Sequence, residues 1–496
     1  MRIRTRICLA LLILVPLAVY WQTIFHEYAF RDDYAHLREV HEEPGKLARF
    51  TASHGRPLYG MLLETTLRPF HHVRDLAWLR LLGTALLIGT GLLTFRLLAR
   101  TGWPPLHAAA AGLAIVLLPA AQITVGWAIS WPNALALLLG AAGFAAVDQG
   151  LARRALRRAA GVLVGGGCYV LAGLTYQSNA LFGVALLAAV LLARRGSLAA
   201  DARWTAAHLG TLFGALGLAF LIMKAMFAAG LYQQSGRVRF ETDLVGKFVW
   251  FFQQPLPNAL ALFPLRDTFG TGAAWFWSAA VAVGTLLLLG ALAAARSEGR
   301  AQQGRWLFCL AVLPFAAHAV SLAAGERAIG YRTIFPLASL VVVLAAAALG
   351  RVALWCRMPR KVEGALLAAA LATAAVLANR HAFDLIAEPQ GREWSLVRDA
   401  VRTLRLGADT TVYIVTPTLA HRSTQRVFSD EFGSLSSDSD WVPAEMFKAA
   451  LRERFPKGLP PRRSYRFSFG RDPPRADFDL VIDMRALAYF RHDGRT

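Results

Sequence analysis

The chain has 496 residues, 56% of them hydrophobic and 17% charged, and its mean hydropathy of +0.42 excludes a water-soluble fold of this length. The formal charge of +21 would suit nucleic acid if it lay on one soluble face. The basic residues fall instead in short clusters between apolar runs, which is a topology signal and argues against a nucleic-acid partner.

The composition therefore predicts an all-α polytopic membrane protein associated with a lipid bilayer. Arg2, Arg4 and Arg6 precede an apolar run at 7–25. That run is long for a signal peptide and has no small-x-small cleavage site after it, so it is read as a retained first span. Counting runs able to cross a hydrocarbon core of about 30 Å gives about eleven spans. They lie near 7–25, 76–98, 106–126, 132–148, 159–176, 179–193, 205–228, 272–295, 306–323, 334–354 and 363–381. Basic clusters at Arg153 to Arg158, Arg194-Arg195, Arg296 to Arg305 and Arg357 to Lys361 mark alternate loops as cytoplasmic together with the N-terminus. Cys8, Cys168, Cys309 and Cys356 lie in or beside apolar runs and form neither a disulfide framework nor a metal motif.

The first external loop, 26–75, is long for a connection between two spans, and long loops tend to hold function. It carries Glu27, the sequence Arg31-Asp32-Asp33-Tyr34, and His54-Gly55-Arg56-Pro57, followed by an amphipathic stretch from Leu58 to Phe70 suited to the membrane surface. Ionisable residues beside a bilayer are costly, which makes the Asp32-Asp33 pair a candidate site; the alternative is a solvated helix cap. Six of the 12 histidines (His26, His36, His41, His54, His71 and His72) lie in this loop. A divalent metal is conceivable there, but no His-x-x-x-His pair with a glutamate supports one, and the cofactor stays unknown.

The same predicted side collects further candidates. Trp127, Trp131, Gln122 and Asn133 form one turn, and Thr175-Tyr176-Gln177-Ser178-Asn179 another. An aromatic face with an amide suits a sugar, so Tyr176 and Gln177 are the stronger pair. Lys224 also lies at this edge, and His318 reads as a packing histidine. In Gly325-Glu326-Arg327-Ala328-Ile329-Gly330-Tyr331-Arg332, Arg327 and Arg332 are arginines on the side where positive charge is disfavoured. A guanidinium fork matches phosphate; a snorkelling arginine is the plainer reading.

Residues 1–381 thus form the membrane domain, and 382–496 a smaller α/β domain on the external side. In the latter, helical spacing of Trp394, Val397, Val401 and Leu404 predicts a helix, and 411–415 and 478–482 read as strands. The Pro- and Arg-rich stretch from Lys457 to Arg475 reads as a loop. Asp430-Glu431 and Asp438-Ser439-Asp440 could bind metal but fit solvated turns better.

Arg31-Asp32-Asp33-Tyr34, Gly55-Arg56-Pro57, Thr175-Tyr176-Gln177 and Tyr331-Arg332-x-x-x-Pro336 together resemble the bacterial GT-C glycosyltransferases. The pattern is most similar to the O-antigen glucosyltransferase type, and also to protein mannosyltransferases and the lipid A aminoarabinose transferase. The resemblance covers roughly residues 1–380. It implies a polyprenyl-phosphate-linked sugar donor and a glycan, lipid or protein acceptor, with the active site on the periplasmic face of a bacterial inner membrane. It also implies Asp32 or Asp33 as catalytic base and Arg332 on the donor phosphate; Arg56, His54, Tyr176, Gln177 and Arg327, on the same predicted side, are the further candidate substrate contacts. The alternatives are a transporter or flippase of lipid-linked sugars, and a non-catalytic relative.

Overall fold

The computed structural model describes residues 3–236, 238–267, 273–417 and 427–489. After α1 (Ile3–Phe25), the first loop folds into three short helices, α2 (Asp32–Glu42), α3 (Lys46–Ser53) and α4 (Pro57–Leu67). Gly60 lets α4 lie against α3, since a Cβ there would fall 2.0 Å from Thr51 Oγ1. The bundle continues with α5 (Ala77–Arg100), α6 (Pro105–Leu117), α7 (Pro119–Gly126), α8 (Trp131–Leu151), α9 (Ala155–Ala180), α10 (Phe182–Ala193) and α11 (Leu198–Ala228). The segment between α11 and the next long helix holds α12 (Leu244–Gln253) and α13 (Pro255–Ala261). Then follow α14 (Ala273–Glu298), α15 (Arg300–Ala311), α16 (Leu313–Ala317), α17 (Ala319–Ala323), α18 (Phe335–Trp355) and α19 (Arg360–Ala382).

Among the described residues, eight helices are long and apolar enough to cross a membrane, or nine if the bent α6–α7 pair counts as one span. The chain is a multi-pass membrane protein. All eleven apolar runs are helical, but three are not continuous spans. Pro119 opens α7 and bends the pair by 50°, because proline lacks the N–H that would continue the ladder and holds the preceding residue extended. Residues 300–323 break into α15, α16 and α17, with Pro314 at the start of α16. The run at 179–193 yields only the 12-residue α10, almost wholly enclosed by other helices. Hydropathy counts apolar residues and cannot see these backbone breaks.

The tightest helix pair is α8 with α9. A Cβ on Gly161 would lie 2.5 Å from the Gly150 Cα, and one on Gly165 would lie 2.7 Å from the Gly143 carbonyl oxygen. Glycines four apart on α9 bring the two backbones together, the usual way that dispersion holds helices in lipid. Inside α9, Tyr176 departs to φ −153°, ψ 102°, kinking the helix at the end where the functional candidates gather.

That end is built from several loops joined by side-chain bonds. The Tyr28 hydroxyl donates to the Gly126 carbonyl at 2.7 Å, and residues 240 and 324 form an isolated bridge. Arg80, fully buried on α5, donates to the carbonyls of Ile24, His26 and Tyr28 at 2.9–3.1 Å. It thereby satisfies the carbonyls that the end of α1 and its continuation leave open.

Beyond α19 the helix does not stop. It passes through a π turn at Phe383–Ala387 into α20 (Glu388–Thr403), so the composition change after His381 marks a change of surroundings rather than a break. Three parallel strands follow, β1 (Thr410–Val415), β2 (Tyr465–Gly470) and β3 (Leu480–Asp483), in the order β2-β1-β3, with α21 (Val442–Arg454) between β1 and β2. The expected strands at 411–415 and 478–482 match β1 and β3 closely. The expected loop from Lys457 to Arg475 is corrected by β2, a half-exposed edge strand whose alternation is hidden among arginines and prolines.

Candidate functional site

The site is organised around the start of α2. Arg31, which precedes it, has φ 44°, ψ −107°, a strained backbone for a residue with a Cβ. Strain of this kind persists only where the surroundings enforce it. The two aspartates then part company. Asp33 is fully buried: its Oδ2 accepts the Phe30 N–H at 2.9 Å and its Oδ1 accepts the Ile129 N–H at 3.1 Å. Burial pushes its carboxyl up to about 6, although those two N–H groups and the nearby Arg80 pull the other way. Asp32 is half-buried and has no hydrogen-bond or ion-pair partner among the described residues. Of the two, Asp32 has its carboxylate unengaged and Asp33 ties α2 to the turn after α7.

That turn carries the rest of the site. The Tyr59 hydroxyl donates to the Ile129 carbonyl at 2.7 Å, so residue 129 is gripped by Asp33 on its N–H and by Tyr59 on its C=O. Trp127 packs edge-on against Phe30 at 5.0 Å, and the Arg332 guanidinium lies over the Trp127 ring at 4.5 Å. Arg56 lies over Tyr176 at 4.4 Å, and Tyr176 is 6.5 Å from Tyr59. Burial raises the Tyr59 phenol, and the positive charges of Arg56 and Arg332 both oppose that shift. Burial works against the charge on Arg332, but the Asp430 carboxylate more than compensates and its pKa moves up. Arg332 is therefore cationic at any physiological pH.

Several donors here are unanswered. The Nε of Arg31, the Nε of Arg56 and the indole N–H of Trp127 are buried without an acceptor. Buried donors are nearly always paired, so a cluster of orphans marks a place where an acceptor-rich ligand fits.

Beside this cluster opens a cavity of about 580 Å³. Its wall is apolar, with Phe213, Leu216, Phe220 and Met223 of α11 facing Ala319 and Val320 of α17. Its mouth is polar, with His54, Arg56, Gln177 and Lys224. The Gln177 side-chain amide donates to the Gly55 carbonyl, and Lys224 donates to Gln234 at 3.1 Å. Gly55 sits at φ 81° with Met223 and Gln177 against it, leaving no room for a side chain.

The structure thus brings Asp32, Asp33, Arg56, Tyr176, Gln177 and Arg332 to one end of the bundle, with His54 at the cavity mouth, where its Nδ1 lies 2.8 Å from the Phe50 carbonyl oxygen. Arg327 is placed apart, exposed and paired with Asp243 at 2.8 Å and Glu241 at 3.3 Å. The six loop histidines scatter: His41 stacks on His71, His36 meets Glu39, and no described group of three or more His, Cys, Asp or Glu side chains gathers where a metal could sit. His318 is packed against Trp250 and Phe251.

Tyr59 was not legible as a site residue, because in sequence it is one apolar position of an amphipathic stretch. Asp430 and Glu431 were legible only as a solvated turn or a weaker metal candidate. Arg332 pairs with Asp430 at 3.0 Å and Arg31 pairs with Glu431. No protein-family model and no curated protein sequence matches the chain.

Proposed function

We propose that this protein is an integral-membrane glycosyltransferase that moves a sugar from a polyprenyl-phosphate donor to a hydroxyl of a glycan, lipid or protein acceptor. The observation that carries this reading is one unpaired carboxylate, Asp32, beside buried N–H donors on Arg31, Arg56 and Trp127 that lack acceptors. A phosphate with a sugar attached offers the oxygens those donors need. The adjoining cavity, apolar along its wall and basic at its mouth, suits a prenyl chain whose phosphate stays at the rim.

In the transfer, the acceptor oxygen attacks the anomeric carbon and the bond from that carbon to the phosphate oxygen breaks. Asp32 takes the acceptor's proton, and the polyprenyl phosphate leaves with one more negative charge, which Arg332 and Arg56 stabilise. Asp33 holds Ile129, and with it Tyr59 and Trp127, in register with α2; it is a positioning residue. On this reading the site faces the periplasm of a bacterial inner membrane, as the basic clusters between spans favour.

The test is sugar transfer in proteoliposomes loaded with prenyl-linked donor. Asp32→Asn is expected to lose about a hundredfold or more in kcat while melting like the wild type. Wild-type turnover in Asp32→Asn would remove it as the base.

A transporter of lipid-linked sugars is the second reading, and the broken helices α6–α7 and α15–α17 favour it, since transporters bind substrate at such breaks. Sugar crossing sealed vesicles with no new glycosidic bond would select it.

A further inference from the structure

We infer that Asp430 and Glu431, outside the membrane domain, are positioning residues of the transfer site. Asp430 sets the Arg332 guanidinium that meets the donor phosphate, and Glu431 sets Arg31 and through it Asp32. The inference rests on the transferase reading above.

The geometry is specific on both sides. Asp430 Oδ1 accepts from Arg332 Nε at 3.2 Å and Nη2 at 3.0 Å, and its Oδ2 accepts the Arg332 backbone N–H at 3.1 Å. One carboxylate therefore fixes both the main chain and the rotamer of Arg332 while the guanidinium rests on Trp127. Arg332 Nη1 has no partner among the described residues, so one edge of the fork is left for another anion. On the other side, Glu431 pairs with Arg31 Nη2, and the Arg31 backbone N–H donates to Ser436 Oγ at 2.9 Å. Ser436 is itself held, its N–H donating to Glu393 at 2.8 Å. Arg31 is thus gripped by main chain and side chain, one residue before the base.

The backbone makes the same point. Arg31, Asp430 and Glu431 have φ of 44°, 56° and 76°, and they are three of the six described non-glycine residues with positive φ. Strain concentrated on two segments that meet at the site is what a positioning contact requires. The segment is anchored independently of the arginines: the Gly433 N–H donates to the Leu385 carbonyl at 2.8 Å, and the Ser429 N–H to the Arg266 carbonyl at 3.0 Å. Gly330 makes room for Asp430, since a Cβ there would lie 3.1 Å from its Oδ1.

The opposite sign is also testable. If the carboxylates instead stood in the phosphate's place as resident anions, removing them would tighten donor binding. The experiment uses the full chain in proteoliposomes. It measures undecaprenyl phosphate binding, and kcat and KM with the undecaprenyl-phosphoryl hexose that the wild type turns over. Asp430→Asn and Gly330→Ala are expected to weaken undecaprenyl phosphate binding and raise donor KM by about tenfold to a hundredfold, with kcat little changed. Glu431→Gln is expected to lower kcat by a similar factor at unchanged KM. Gly330→Ala keeps every charge and stands as the test if Asp430→Asn does not fold. An active wild type whose Asp430→Asn and Gly330→Ala variants bind as it does, or more tightly, overturns the positioning role alone. A wild type that neither binds undecaprenyl phosphate nor transfers sugar overturns the transferase reading and this inference together.

Discussion

Asp32 and Asp33 share a helical turn, yet Asp33 is fully buried while Asp32 is half-buried and has no side-chain partner among the described residues. Asp33 ends up in a dry pocket whose donors are both backbone N–H groups, and its pKa rises from the ordinary 3.8 to about 6. The folded protein therefore holds this proton more tightly than the unfolded chain does. The stability Asp33 contributes is full below about pH 4 and is lost as pH rises through about 6, an effect on the order of 3 kcal/mol. Thermal melting in detergent between pH 4 and 7 should show the wild type falling more steeply than Asp33→Asn; parallel curves would refute the assignment. The Arg31-Asp32-Asp33-Tyr34 motif was legible as a candidate site from its position at a membrane exit. The division of labour was not, because adjacent residues look alike until it is known which of them faces the turn after α7.

Most helices could be read from apolar runs, because covering about 30 Å of hydrocarbon requires a stretch that composition reveals. What escaped was continuity. Proline and short buried segments break three runs, and the edge strand β2 is buried too little to alternate visibly. Packing between spans follows a subtler signal, Gly161-Val162-Leu163-Val164-Gly165, which places two glycines on the face of α9 that meets α8. Gly161→Val should cost about 1–3 kcal/mol through overpacking, seen as an earlier unfolding midpoint in mixed micelles. The same change at Gly167, which has open space around it, should be tolerated. Equal behaviour of the two variants would show that α8 and α9 are not held by close approach.

At the scale of the molecule, the α/β unit is fastened to the first loop by charge. Arg38 of α2 reaches Glu445 of α21 at 2.7 Å, Arg452 pairs with Glu42, and Glu453 accepts the Val73 N–H at 2.8 Å. Removing Arg38 leaves Glu445, only 12% exposed, without its main partner, and half-buried pairs are costly to break on one side only. Arg38→Ala should make the region between α21 and β2 more sensitive to limited proteolysis, and Arg38→Lys should restore only part of the protection. Unchanged cleavage would mean that apolar packing of α20 and α21 suffices. None of this fastening was legible, since ion pairs hundreds of residues apart leave no periodic trace; the resemblance itself stops near residue 380, before Asp430, which pairs with Arg332.

The bond from the Arg31 N–H to Ser436 spans 405 positions, and that separation sets an order of events. A growing chain exposes Asp32 early, when nothing yet holds Arg31 in its strained conformation or fixes Arg332. Arg31 and Arg332 reach the arrangement of the folded chain only after α19 and α20 are in place and the segment carrying Asp430 and Glu431 has folded back on the first loop. Assembly of the candidate site is thereby tied to folding of the segment that carries Asp430 and Glu431, and a chain released before that segment is made leaves Arg31 and Arg332 without the partners that hold them.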